Sequence, residues 1–84
     1  MKLSSTRILS FTVTYEEAPE GGYVAYVPAL PGCHTQGETI EETEENVREA
    51  ITLYLESLEA HQEDIPKEPR ILQGKVEISY PLTS

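Results

Sequence analysis

The 84-residue chain lacks the sequence features of disulfide cross-links, a signal peptide and a membrane span. It contains a single cysteine, which excludes an internal disulfide framework and favours a reducing compartment. Its first residues, MKLSS, lack the apolar run of a signal peptide. Pro28 and Pro31 interrupt the most apolar stretch, so no segment reaches the length of a membrane span. These absences predict a soluble, cytoplasmic protein with no membrane attachment.

Basic residues are also scarce. The chain contains six Lys and Arg residues and 15 Asp and Glu residues, which gives a net charge of −9. Residues 38–64 hold ten acids and one base (−10 + 1 = −9), whereas the rest of the chain holds five of each. Nucleic-acid surfaces need basic groups, so we expect no direct nucleic-acid binding. The acidity suits a basic protein partner, although such glutamates also serve as a solvated helix face.

The groups that catalysis or metal binding needs are few and unfavourably placed. Cys33 and His34 are adjacent, and neighbours on a strand point to opposite faces, so they cannot pair with each other. The two histidines and one cysteine match no zinc spacing, and no Gly-rich phosphate loop is present. We therefore expect no enzymatic activity, no bound metal and no cofactor.

What the chain does have is a strong helix signal that starts at Thr39. Thr39 and Glu42 form a T-x-x-E capping box, which satisfies backbone N–H groups at the start of a helix. At about 100° per residue, Glu45, Glu49 and Glu56 fall on the water-facing side. The opposite stripe is apolar and consists of Ile40, Val47, Ala50, Ile51, Tyr54, Leu55 and Leu58.

Strand patterns precede and follow this helix. Apolar and polar side chains alternate over residues 7–15. Residues 23–27 are rich in aromatic and β-branched side chains. Pro31-Gly32 predicts a type II turn into a short strand over 33–37. After a proline-containing connection, apolar and polar side chains alternate again over residues 76–80, which predicts a last strand. The order β-β-β-α-β predicts an α+β fold, with an antiparallel-dominated sheet and one long amphipathic helix on one face.

Three apolar residues lie outside the positions that are predicted to face the core. Val24 and Tyr26 make the second face of their strand apolar, and Leu53 projects about 120° from the apolar stripe of the helix. A domain of this size gains much from burying a further patch. We therefore expect these three residues to form the interface of a homo-oligomer, either a dimer or a tetramer.

The run GYVAYVPALPGC over residues 22–33 resembles the signature of HicB-type antitoxins. The helix start over 36–51, together with Ile65-Pro66 and Glu68-Pro69, resembles further segments of the same family. The resemblance covers nearly the whole chain, from residue 11 to residue 80, and it implies a truncated ribonuclease H-like fold. Thr43 is a departure, because the family often carries alanine there.

The resemblance implies a protein that binds a small HicA-type ribonuclease toxin and covers its active site and the basic surface around it. Glu45, Glu49 and Glu56 are the candidate partner-binding residues, because the excess negative charge lies on their helix. The alternative is a solitary HicB-like homo-oligomeric domain with a regulatory or ligand-binding role and no toxin partner. We expect residues 1–84 to form one HicB-like domain, without the separate C-terminal DNA-binding domain that many HicB proteins carry.

Overall fold

The computed structural model describes residues 6–68, 70 and 72–83. These residues form a three-stranded antiparallel sheet, with the strands in sequence order, followed by one helix. The elements are β1 (Thr14–Glu17), β2 (Tyr23–Tyr26), β3 (His34–Gly37) and α1 (Ile40–Ala60). The α+β class is confirmed. Residues 1–5 lie outside the described residues, as does Pro69 of the proline-containing motif.

β1 is shorter than its sequence pattern predicts. The alternation over residues 7–15 predicts a strand there, but the observed strand begins at Thr14. Thr14 pairs with Tyr26, so in the same register Thr12 would face Pro28, which has no N–H group to donate. The N–H of Thr12 is instead donated to the carboxylate of Glu68. The bounds predicted for this strand were therefore wrong, because its partner strand stops at a proline.

α1 is capped at both ends by local hydrogen bonds. Thr39 Oγ1 accepts the N–H of Glu42 at 3.0 Å, which is one half of the predicted capping box. At the other end Gln62 takes a φ of 57°, and the Glu63 N–H donates to the Leu58 carbonyl at 2.8 Å, as in a Schellman motif. Across residues 6–68, 70 and 72–83, no helix is long and apolar enough to cross a membrane.

The core lies between the sheet and the first half of α1. The Pro31-Gly32 turn forms part of it: Cys33 N–H donates to the Leu30 carbonyl at 2.9 Å, and Gly32 has a φ of 82°. Positive φ at this position is what a type II turn requires, so the predicted reversal is confirmed. The turn leaves Leu30 fully buried. The central cluster consists of Ala25, Val27, Leu30, Cys33 and Val47.

β3 and α1 approach so closely that position 37 has no room for a side chain. A Cβ on Gly37 would lie 2.6 Å from Thr43 Oγ1 and 2.8 Å from the Thr43 backbone nitrogen. Thr43 is fully buried, and its hydroxyl donates to the Thr39 carbonyl at 2.6 Å. Asn46 Nδ2 also donates to the Gln36 carbonyl at 2.8 Å. These contacts fix the helix on the edge of the sheet that β3 forms.

Gly37→Ala is expected to destabilise the fold by about 1–3 kcal/mol, as overpacked cores do. The cause is that the backbone of Thr43 cannot retreat unless the start of α1 moves as well. Urea denaturation measures the effect as a lower midpoint. Gly74→Ala is the matched control, since a Cβ there meets nothing within 4 Å, and its change should stay within about 0.5 kcal/mol. Equal midpoints for the two variants would contradict the close approach of β3 and α1.

The C-terminal residues do not join the sheet. The alternation over residues 76–80 predicts a last strand, but residues 72–83 form neither strand nor helix. Val76, Ile78 and Tyr80 are 87%, 78% and 72% exposed. Among residues 6–68, 70 and 72–83, β1 consequently has a paired neighbour on one side only.

Candidate functional site

The side of α1 that faces water carries a row of carboxylates. Glu45, Glu49 and Glu56 are all exposed, and at about 100° per residue they lie within an arc of about 40°. A rise of 1.5 Å per residue spreads them over about 16 Å along the helix. We call these three residues the acidic stripe. The structure therefore places the predicted partner-binding residues on one continuous surface.

Arg48 is the one base that α1 itself contributes beside the acidic stripe. At the C-terminal end of the stripe, Glu56 lines a groove that Arg7 and Lys67 also line. The salt bridge described on α1 joins Arg48 to Glu44 at 3.2 Å, so the positive charge of Arg48 is already shared with a glutamate outside the stripe. No other base occurs between residues 38 and 64, where ten acids are found. The stripe therefore presents a negative field to solvent and can attract and orient a positively charged partner.

The predicted oligomer-interface residues lie on two sides of the domain. Val24 and Tyr26 are on the sheet face that points away from α1, where Val24 is half-buried and Tyr26 is 43% exposed. The Tyr26 ring is tilted against His34, with the centroids 6.2 Å apart. Leu53 is 58% exposed and lies on α1, across the sheet from that face. An assembly that used all three residues would therefore need two contact surfaces, as in a dimer of dimers.

Cys33 and His34 point in opposite directions. Cys33 is 6% exposed inside the core, and burial raises the pKa of its thiol above the ordinary value. The thiol is therefore protonated at neutral pH and weakly reactive. His34 is exposed beside Tyr26, so the two side chains form no thiolate–imidazole pair. Where the structure describes the chain, no three His, Cys, Asp or Glu side chains are grouped to hold a metal ion.

Two residues that orient the acidic stripe were not assigned that role from the sequence. Thr43 is buried against Gly37, and Asn46 ties α1 to the end of β3. The spacing of Thr39 and Thr43 is a usable signal, because a threonine hydroxyl often bonds to the carbonyl four residues earlier. The contact of Asn46 with the Gln36 carbonyl joins two elements and has no local sequence signal.

These features define a small α+β module with a buried, protonated cysteine and an exposed acidic helix. Residues 11–80 match the model of a family described as the HicB-like antitoxin of bacterial toxin–antitoxin systems. The match spans most of the 84 residues. The chain belongs to this family, and membership implies a toxin partner in general and favours a non-enzymatic role.

The chain is also similar to UPF0150 proteins from several organisms. One from Synechocystis sp. is 45% identical over 73 residues, which are 87% of this chain and 92% of that protein. One from Thermoplasma acidophilum is 48% identical over 60 residues, covering 71% and 87% of the two chains. One from Helicobacter pylori is 41% identical over 64 residues, covering 76% and 89%. The names of these relatives state no activity and no partner.

Proposed function

We propose that this protein neutralises a small HicA-type, mRNA-cleaving toxin by covering the toxin's active site and basic surface with the acidic stripe. The observation that carries the proposal is the stripe itself: three exposed carboxylates on one side of the helix of a HicB-like antitoxin. A ribonuclease that holds RNA needs basic groups around its site, because the RNA backbone is negatively charged. The stripe offers the opposite charge over about 16 Å of helix.

Charge complementarity of this kind acts mainly on the rate of association. Opposite fields raise the encounter rate by about 10- to 1000-fold at low salt, and screening weakens them once the Debye length falls to about 8 Å at physiological ionic strength. The acidic stripe is exposed and is not part of the described Arg48–Glu44 salt bridge. Its field is therefore free to act on an approaching partner.

The triple variant E45Q/E49Q/E56Q is expected to bind a HicA-type toxin with an on-rate about tenfold lower at low salt. Glutamine keeps the shape and helix propensity of glutamate and removes only its charge. The probe is a HicA-type toxin of the same genome whose catalytic histidine has been replaced, with on-rates measured by surface plasmon resonance. The difference from the unsubstituted protein should shrink at about 0.5 M salt, because the Debye length is then well below 8 Å.

The matched control is E16Q/E17Q/E20Q, which removes the same charge from β1 and the turn after it. These three glutamates are also exposed, but they belong to β1 and the turn after it and not to the acidic stripe. An on-rate that falls equally in both triple variants would assign the effect to net charge and not to the stripe. An unchanged on-rate in both would make the stripe a solvated helix face.

A solitary HicB-like homo-oligomeric domain, with a regulatory or ligand-binding role and no toxin, is the second candidate. The exposed apolar residues Val76, Ile78 and Tyr80 favour it, because they suit self-association. Co-expression with each HicA-type toxin of the same genome separates the two candidates. Restored growth supports neutralisation. Persistent growth arrest with no measurable binding favours the solitary domain.

A further inference from the structure

The C-terminal segment carries a continuous row of exposed apolar side chains. In an extended chain, alternate residues point to the same side, and every large apolar residue of the segment is at an even position. The row consists of Leu72, Val76, Ile78, Tyr80 and Leu82, whose exposures range from 72% to 88%. We call residues 72–82 the exchange segment. A row of this kind on a small protein is typical of an interaction surface.

The exchange segment extends away from its own domain. The chain measures 71 × 28 × 20 Å and has a radius of gyration of 17.4 Å. A compact domain of this length has a radius of gyration of about 12 Å. The 72–88% exposure of the apolar row agrees with this extended shape, because the sheet and helix do not cover these side chains. In the single chain the apolar row is therefore left exposed.

The same domain has an incomplete core beside β1. A groove of about 500 Å³ runs between the chain leading into β1 and the face of α1. Phe11, Val13 and Ile51 contact the core there but remain half-buried. The apolar part of the groove wall consists of Leu9, Phe11, Val13, Val47, Ile51 and Leu55. One more strand at this position would cover these side chains.

β1 is also an open edge of the sheet. It pairs with β2 on one side, and its other side presents backbone groups that have no strand partner in the described part of the chain. An edge of this kind accepts an added strand, with main-chain hydrogen bonds giving affinity and alternate side chains filling pockets. Pro81 lacks an N–H group, so pairing along the exchange segment should end before it.

We propose that the exchange segment of a second copy lies along the open edge of β1 and fills this groove, and that two copies exchange segments reciprocally. The occupant is a second copy because its segment has the strand pattern and apolar row that the edge and groove lack. Reciprocal exchange uses each edge and each segment once, which closes a two-fold dimer. The proposal does not depend on a toxin partner.

Light scattering of the purified full chain tests the dimer. The unsubstituted protein should have twice the mass of one chain at tens of micromolar, an ordinary assay concentration. V76K/I78K should have the mass of one chain, because lysines on the apolar row cannot enter the groove. The control Q73K/S79K adds the same charge on the opposite side of the segment and should remain a dimer. A monomeric unsubstituted protein or a dimeric V76K/I78K variant would overturn the proposal.

A second measurement shows where the segment goes. In a mixture of isotope-labelled and unlabelled copies, filtered nuclear Overhauser spectra should show contacts between Ile78 of one copy and Phe11 or Ile51 of the other. Contacts found only within one copy would mean that the segment folds back on its own domain. A dimer that Tyr26→Lys abolishes, and that shows no Ile78 contacts between copies, would assign the interface to the outer face of the sheet. Either result overturns the exchange.

Discussion

Leu30→Ala is expected to lower the free energy of unfolding by about 2–5 kcal/mol, the usual cost of truncating a buried leucine. Leu30 is fully buried although it lies in the turn between β2 and β3. Its own N–H donates to the Val27 carbonyl, and its carbonyl accepts the N–H of Cys33. The backbone is therefore fixed by hydrogen bonds on both sides and cannot collapse into the cavity. Small domains have about 5–15 kcal/mol of stability in total, so this loss is large.

Urea denaturation followed by circular dichroism measures this loss. Ile8→Ala is the matched control, because it removes a side chain of the same size that is 94% exposed. Its effect should stay within about 0.5 kcal/mol. If the two variants unfold at the same urea concentration, the turn does not contribute to the core as its burial indicates.

The parts of the fold that were predicted correctly depend on neighbouring residues. The capping bond from the Glu42 N–H to Thr39 and the positive φ of Gly32 are set within three or four positions of chain. Helical phase likewise separates Val47, which is buried, from Glu45 and Glu49, which are exposed. Local chemistry is enough for these features, because helix periodicity and turn geometry repeat in every protein.

The features that the sequence did not show depend on a partner element. The start of β1 is set by Pro28 on the neighbouring strand, since Pro28 has no N–H to donate where the register would place Thr12. The tight fit of Gly37 against Thr43 likewise requires two elements already in contact. An alternating pattern shows that residues 76–80 suit a strand, but a strand also needs an edge to pair with. In the single chain these residues remain exposed.

In the candidate site, too, the features set by helical phase were predicted, and those that depend on packing between elements were not. Exposure of the acidic stripe follows from helical phase, so its three residues were placed on one surface by sequence alone. The sequence also identified Val24, Tyr26 and Leu53 as apolar residues outside the helix stripe. It did not show that the sheet separates Leu53 from the other two, because that depends on which face of the sheet the helix covers.

Val47→Asp is expected to leave the protein largely unfolded at neutral pH. Val47 is 3% exposed and contacts the core cluster of the sheet and turn. A carboxylate there would lose its hydration and gain no opposite charge, which costs several kcal/mol. The loss is comparable with the whole stability of a small domain, about 5–15 kcal/mol.

The pH dependence of this variant identifies the cause. Burial disfavours the charged form and raises the folded-state pKa of an introduced aspartate above its unfolded value of about 3.9. The unfolded state therefore releases its proton first, and the Val47→Asp protein should lose stability, relative to the unsubstituted protein, as pH rises from about 4 to 7. Glu45→Asp is the control for placing aspartate in the helix, because it keeps an exposed charge and costs only a few tenths of a kcal/mol. A Val47→Asp penalty that does not change with pH would show that lost packing, and not buried charge, unfolds the domain.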